Sequence, residues 1–160
     1  MISRLVLDES QYESIQAHVL SQKPEEACGL LGGRIEHSTA FVSDVVLVEN
    51  ALHSAVRFRM APEAQVAALL NFERRGIELV AIFHSHPAGP GHLSATDLAE
   101  FSYPGVVMAL CFPAAEAGQE VWKIRAFQVE QDPVDGSNYK EITLSIETKD
   151  PSNQKQHLGL

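Results

Sequence analysis

ELVAIFHSHPAGPGHLSATD, residues 78–97, joins a nearly continuous apolar run to a polar loop rich in proline and glycine. A run of this kind reads as a central strand covered on both faces, which commits the fold to a sheet with layers on either side. Side chains alternate along a strand, so His84 and His86 share one side while Ser85 takes the other. The loop from Pro87 to Leu93, with Gly89 and Gly91, is long enough to fold the next element back over the histidines. That element, Ser94 to Phe101, reads as a short helix, and Ser94 and Asp97 fall near one face of its first turn.

Upstream, Ser3 to Leu7 reads as a short strand, and Asp8 or Ser10 caps an amphipathic helix ending near Gln22, ahead of Pro24. ACGLLGG (27–33) reads as a buried strand leading into a turn at its paired glycines, and AFVSDVVLVENA (40–51) is rich in β-formers. AVRFRM (55–60) predicts a half-buried strand with Val56, Phe58 and Met60 on one face and Arg57 and Arg59 on the other. Ala61 to Arg75 carries the strongest helix signal: Val66, Leu69, Leu70 and Phe72 form an apolar face, and Gly76 ends it. VVMALCF (106–112), VWKIRAFQV (121–129) and EITLSIET (141–148) complete the strands, with Trp122 expected in the core. Strands mixed with three helices in this order predict an α/β sandwich around one sheet. Residues 1–148 read as a single domain and the polar 149–160 as a flexible tail.

The chain of 160 residues is long enough to bury a core without disulfides or a structural metal. Its formal net charge of −9 argues against nucleic acid, which needs a basic footprint. No apolar run approaches the length of a bilayer span, and the N-terminus turns acidic before a signal core forms, so a cytoplasmic location with no membrane partner is expected. Cys28 and Cys111 are far apart, each inside an apolar run, and read as buried reduced thiols; a nucleophilic Cys28 has no local support.

Two neutral imidazoles and one carboxylate, His84, His86 and Asp97, leave the fourth tetrahedral position of zinc free for water, as in catalytic zinc sites. The competing reading makes SATD only a capping box, with Ser94 as cap and Asp97 where Glu is usual. A hydrolytic site also needs a base. Glu25 and Glu26 stand before the ACGLLGG strand, and Glu26 shares parity with Cys28 and Leu30. His92 reads as a solvent-facing loop residue; His18, His37, His53 and His157 have no partners at metal spacing. Arg57 and Arg59 read as solvated, with a groove-lining role as the alternative.

E-x-C-G-L-L-G, followed much later by H-S-H-P, seven residues and S-x-x-D, resembles the JAMM (MPN+) metalloprotease family over Leu5 to Val129. The resemblance implies a cytidine-deaminase-like sandwich, a mixed sheet flanked by helices. It implies one zinc ion on His84, His86 and Asp97 with water as fourth ligand, Glu26 as general acid/base, and Ser94 as donor to the oxyanion. All five positions are present, unlike in the metal-free scaffolding members. Short segments at Gly33 to Phe41 and after Asp97 look like the compact prokaryotic members rather than the linkage-selective deubiquitinases. That implies a zinc peptidase or isopeptidase acting at the C-terminal tail of a ubiquitin-like or sulfur-carrier protein, with AVRFRM as an edge where the tail adds a strand. Alternatives are a general small-peptide metallopeptidase, a domain like that of the bacterial RadC-like proteins, and a non-catalytic metal-stabilised module binding ubiquitin-like partners. A homodimer is a further partner expectation.

Overall fold

The computed structural model describes residues 1–132, 134 and 136–148. The tail expected at 149–160, with His157, lies outside them. Strand β1 (Arg4–Asp8) runs straight into helix α1 (Glu9–Gln22). Asp8 makes that junction: its carboxylate accepts from the Gln11 N–H at 2.8 Å, while the Asp8 N–H donates to Gln11 Oε1 at 2.9 Å. Two of the donors left without partners at the helix start are thereby satisfied.

Strands β2 (Cys28–Glu36) and β3 (Thr39–Val48) form an antiparallel hairpin that turns at His37, whose φ is 56°. The turn expected at the paired glycines does not occur, and β2 continues through them with a register shift at Gly32/Gly33. Close approach explains the glycines instead: a Cβ on Gly33 would stand 1.9 Å from the Phe41 carbonyl oxygen. Helix α2 (Pro62–Arg74), strand β4 (Glu78–Ser85), helix α3 (Ala95–Glu100) and strands β5 (Val107–Glu116), β6 (Gln119–Asp132) and β7 (Gly136–Glu147) follow.

The sheet is mixed, as expected: β1 runs parallel to both β3 and β7, and β4 to β5, while the other pairings are antiparallel. Its strand order β1-β3-β2-β4-β5-β6-β7 closes into a barrel, unlike the open sheet of a sandwich. Closure follows from β1, which takes β3 on one side and β7 on the other. Strand β4 is buried on both faces. Ala81 and Phe83 pack with Ile15 and Val19 of α1 and with Trp122, while Ile82 packs in a second cluster with Ala68 and Phe72 of α2.

Two further expectations are corrected. On α2 the buried residues are Ala68 and Phe72, whereas Val66 and Leu70 are 55% and 52% exposed. Phe72 fills the space that Gly32 leaves, where a Cβ would meet its ring at 2.6 Å. Seating that ring turns Leu70, about 200° round the helix from it, and Val66, about 240° round, toward solvent. AVRFRM is not a strand either. Among the described residues its one bridge is Asn50↔Met60, Val56 is exposed, and apart from the Ala51 N–H donating to the Arg59 carbonyl its backbone bonds go to the side chains of Asn50 and Ser54. Phe58 and Met60 still turn inward while Arg57 and Arg59 face out.

Candidate metal centre

Strand β4 carries His84 to the end of the sheet between two neighbours, opposite Cys28 of β2 and Leu110 of β5. His86 lies one residue past the strand, held by its N–H donating to the Cys111 carbonyl at 2.9 Å. Ser85 turns the other way, as alternation requires, and its Oγ accepts from the Ala27 N–H at 2.8 Å. The loop after His86 folds back so that α3 delivers Asp97. His84 Nε2 and His86 Nε2 are 3.2 Å apart, and Asp97 Oδ2 is 3.2 Å from the first and 3.1 Å from the second.

Three donors at the corners of a zinc tetrahedron with bonds of about 2.0–2.1 Å stand about 3.3–3.4 Å apart, close to the spacing observed. His86 Nδ1 lies 2.9 Å from the Pro90 carbonyl, which can only accept, so Nδ1 carries the proton and Nε2 turns its lone pair to the cluster. His84 stacks on Phe58 at 4.6 Å between ring centroids. Glu26 completes the group: one donor atom from each of Glu26, His84, His86 and Asp97 lies within 4.8 Å of all the others, and all four residues are buried. Glu26 Oε1 has no hydrogen-bond partner among the described residues.

Electrostatics favour the protonation states a cation needs at His84 and Asp97, whereas His86 would release a proton on binding one. Burial lowers the pKa of His84, opposed by the Asp97 hydrogen bond, and keeps the ring toward its neutral form. For His86 burial acts downward too, but the hydrogen bonds with Asp97 and Pro90 outweigh it and the pKa rises. Burial pushes Asp97 up, yet the hydrogen bonds from His84 and His86 hold its carboxyl well below the usual range. Burial raises Glu26 to about 7, with His86 pulling down and Asp97 pushing up. A carboxyl so placed exchanges a proton readily near neutrality.

Ser94 caps α3 in the predicted way: its Oγ accepts from the Asp97 N–H at 3.0 Å, and its own N–H donates to Asp97 Oδ2 at 2.8 Å. The cap uses only the hydroxyl oxygen as acceptor, so the O–H remains a donor. Capping therefore does not compete with a role toward substrate. It also fixes the same carboxylate oxygen that faces both imidazoles.

The remaining candidates separate cleanly. His92 is exposed, His18 Nε2 sits 3.3 Å from the Cys28 carbonyl, and His53 lies between Glu25 and Glu49. Burial pushes the Cys28 thiol up to about 12, which removes it as a nucleophile. Arg57 is exposed and ion-paired with Glu100. Arg59 is exposed as well, and it lines a cavity of about 360 Å³ beside Asp97, with Phe58, Met60, Phe101 and Tyr103. Sequence reasoning missed the stacking of Phe58 on His84 and the buried Asn50, whose only signal was a polar residue closing an apolar strand.

Residues 8–128 match the family described as prokaryotic homologs of the JAB domain. A desampylase of Haloferax volcanii is 28% identical over 149 residues, covering 91% of this chain and 98% of the relative. A probable TtuB-protein conjugate cleaving protease of Thermus thermophilus is 39% identical over 89 residues, covering 55% of this chain and 57% of the relative. A solution structure of a protein from Desulfitobacterium hafniense superimposes with a TM-score of 0.70 at 32% identity, covering 91% of this chain and 95% of the other. Among the described residues, no helix is long and apolar enough to cross a membrane.

Proposed function

Because the chain belongs to the prokaryotic homologs of the JAB domain, and is a JAMM-type hydrolase, we propose that it cleaves peptide or isopeptide bonds at the C-terminal tail of a ubiquitin-like or sulfur-carrier protein. The observation that carries this reading is the buried convergence of Glu26, His84, His86 and Asp97 beside a cavity of about 360 Å³. Two relatives support the substrate class, being named for ubiquitin-like conjugate chemistry: a desampylase and a TtuB-protein conjugate cleaving protease.

In this reading His84, His86 and Asp97 hold one zinc ion. When bound, zinc supplies a Lewis acid for the scissile carbonyl and acidifies water. Glu26 accepts the proton of the attacking water and returns it to the leaving amine, a task suited to a pKa near neutrality. The Ser94 hydroxyl donates to the oxygen of the former carbonyl as negative charge develops there. The apolar wall of Phe58, Met60 and Phe101 shields the tail from water and orients it. Residues 1–148 form the catalytic domain in this reading, acting in the cytoplasm. The architecture is a strongly curved relative of the cytidine-deaminase-like sandwich, supported by helices α1 and α2 packing against opposite faces of β4.

The test is incubation of the zinc-loaded protein with a sulfur-carrier protein extended past its diglycine, followed by mass measurement. Loss of the extension is expected, and Glu26→Gln slows it severely while zinc stays bound. Equal cleavage of short peptides lacking the carrier body would favour a general peptidase instead. Binding without cleavage would remove the hydrolytic assignment.

A further inference from the structure

We infer that Asn50 is a positioning residue: its one buried side chain fixes both the backbone of Glu26 and the segment that lays Phe58 on His84. The inference rests on the reading of Glu26 as the proton carrier.

Asn50 is 2% exposed and sits two residues beyond the end of β3. Its Nδ2 donates to the Glu26 carbonyl at 3.0 Å and to the Arg57 carbonyl at 3.0 Å, with the Ser54 carbonyl at 3.4 Å. Its Oδ1 accepts from the Leu52 N–H and the Arg59 N–H, both at 3.1 Å. An amide has two N–H donors and two acceptor lone pairs, so the whole capacity of the side chain is used. Glu26 is bound a second time to the same loop, its N–H donating to the Ser54 carbonyl at 2.8 Å. Phe58 lies between Arg57 and Arg59, two of the residues whose backbone Asn50 grips, and stacks on His84.

A loop without regular structure thus behaves as part of the site. Among the described residues, those from 50 to 60 make a single β-bridge, and the Asn50 amide supplies bonds that a ladder would otherwise make. Aspartate there keeps the shape and the acceptors but loses both donors, setting a carboxylate against the carbonyls of Glu26 and Arg57. Alanine loses all of these bonds.

Asn50→Asp and Asn50→Ala in the full chain, loaded with zinc, test the inference. The kcat is expected to fall up to about 100-fold, the scale of a displacement of about an ångström in a working group, with less change in KM. Bound zinc stays stoichiometric and the proteins stay folded at assay temperature. Since Asn50 acts in part through Glu26, adding Asn50→Asp to Glu26→Gln slows kcat by a smaller factor than Asn50→Asp does in the unaltered protein. Wild-type kcat in Asn50→Asp, or losses that multiply in the double variant, would overturn the positioning role while leaving the proposed function intact. Full activity in Glu26→Gln would overturn both. If the variants do not fold, amide exchange in the unaltered protein decides: the Leu52 and Arg59 N–H groups should exchange slowly and together. Exchange at the rate of open loops removes the proposed hub.

Discussion

Ala27 and Ser85 exchange two hydrogen bonds: the Ala27 N–H donates to Ser85 Oγ at 2.8 Å, and the Ser85 N–H donates to the Ala27 carbonyl at 3.0 Å. Glu26 precedes the first residue, and His84 and His86 flank the second. The pair therefore sets the proton-carrying candidate against the metal-ligand candidates through one backbone bond and one bond to the Ser85 hydroxyl. Ser85→Ala leaves a buried N–H without a partner and is expected to cost about 1–3 kcal/mol in urea unfolding, whereas Ser85→Thr retains the hydroxyl and costs less. Equal losses for the two substitutions would deny the hydroxyl this role.

Metal removal gives a second prediction. A cation bound only by the folded state stabilises it by mass action, by about 2.7 kcal/mol when free zinc is 100 times its Kd. The unfolding midpoint should therefore rise with added zinc and fall on chelation. Asp97→Ala removes the oxygen that both imidazoles share, so it should abolish stoichiometric zinc in elemental analysis and flatten the zinc dependence of unfolding. A variant that binds and responds to zinc as the original does would displace Asp97 from the ligand set.

What could be read in the sequence was what local chemistry decides. Asp8 caps α1, Gly76 follows α2 with φ 68°, and Ser94 caps α3, each because a side chain or a missing Cβ acts within a few residues. The parity of His84 and His86 also survived, since a central strand leaves no other arrangement. Non-local decisions were not legible. AVRFRM alternates like a strand, but the partner that captures its backbone is the Asn50 amide. Val66 and Leu70 fit an apolar helix face until Phe72 finds its seat over Gly32. Closure of the sheet depends on β1 pairing with β7, the last strand, which no pattern within β1 announces.

Those close approaches yield a third prediction. A Cβ at Gly33 would meet the Phe41 carbonyl oxygen at 1.9 Å and its carbon at 2.9 Å, both backbone atoms of the paired strand. Overpacking against movable side chains costs about 1–3 kcal/mol. Backbone cannot yield as a side chain does, so Gly33→Ala should fall at or above the top of that range in denaturant unfolding. Gly105, where an added Cβ meets nothing within 4 Å, has φ 80° and tests backbone conformation alone. The expected order is a larger loss at Gly33 than at Gly105, and the reverse order would refute the packing explanation of the β2 glycines.

The buried thiols make a prediction about alkaline pH. Burial raises the Cys28 thiol to about 12, and burial also raises Cys111. An unfolded thiol titrates near 8.5, so the folded state holds these protons more tightly. A folded pKa above the unfolded one contributes stability that is fully present below about pH 8.5 and is lost as pH rises toward 12. At pH 10 the loss amounts to about 2 kcal/mol per fully buried thiol. The urea midpoint should therefore hold steady between pH 7 and 8.5 and decline above it. Lysine and tyrosine titrate in the same window, so the comparison needs Cys28→Ala. That variant loses packing by the same amount at every pH, and its decline with alkali should be shallower. Native alkylation at pH 8 should likewise be slow until denaturant is added. Parallel declines in the two proteins would show that the Cys28 proton is held no more tightly in the folded chain than in the unfolded one.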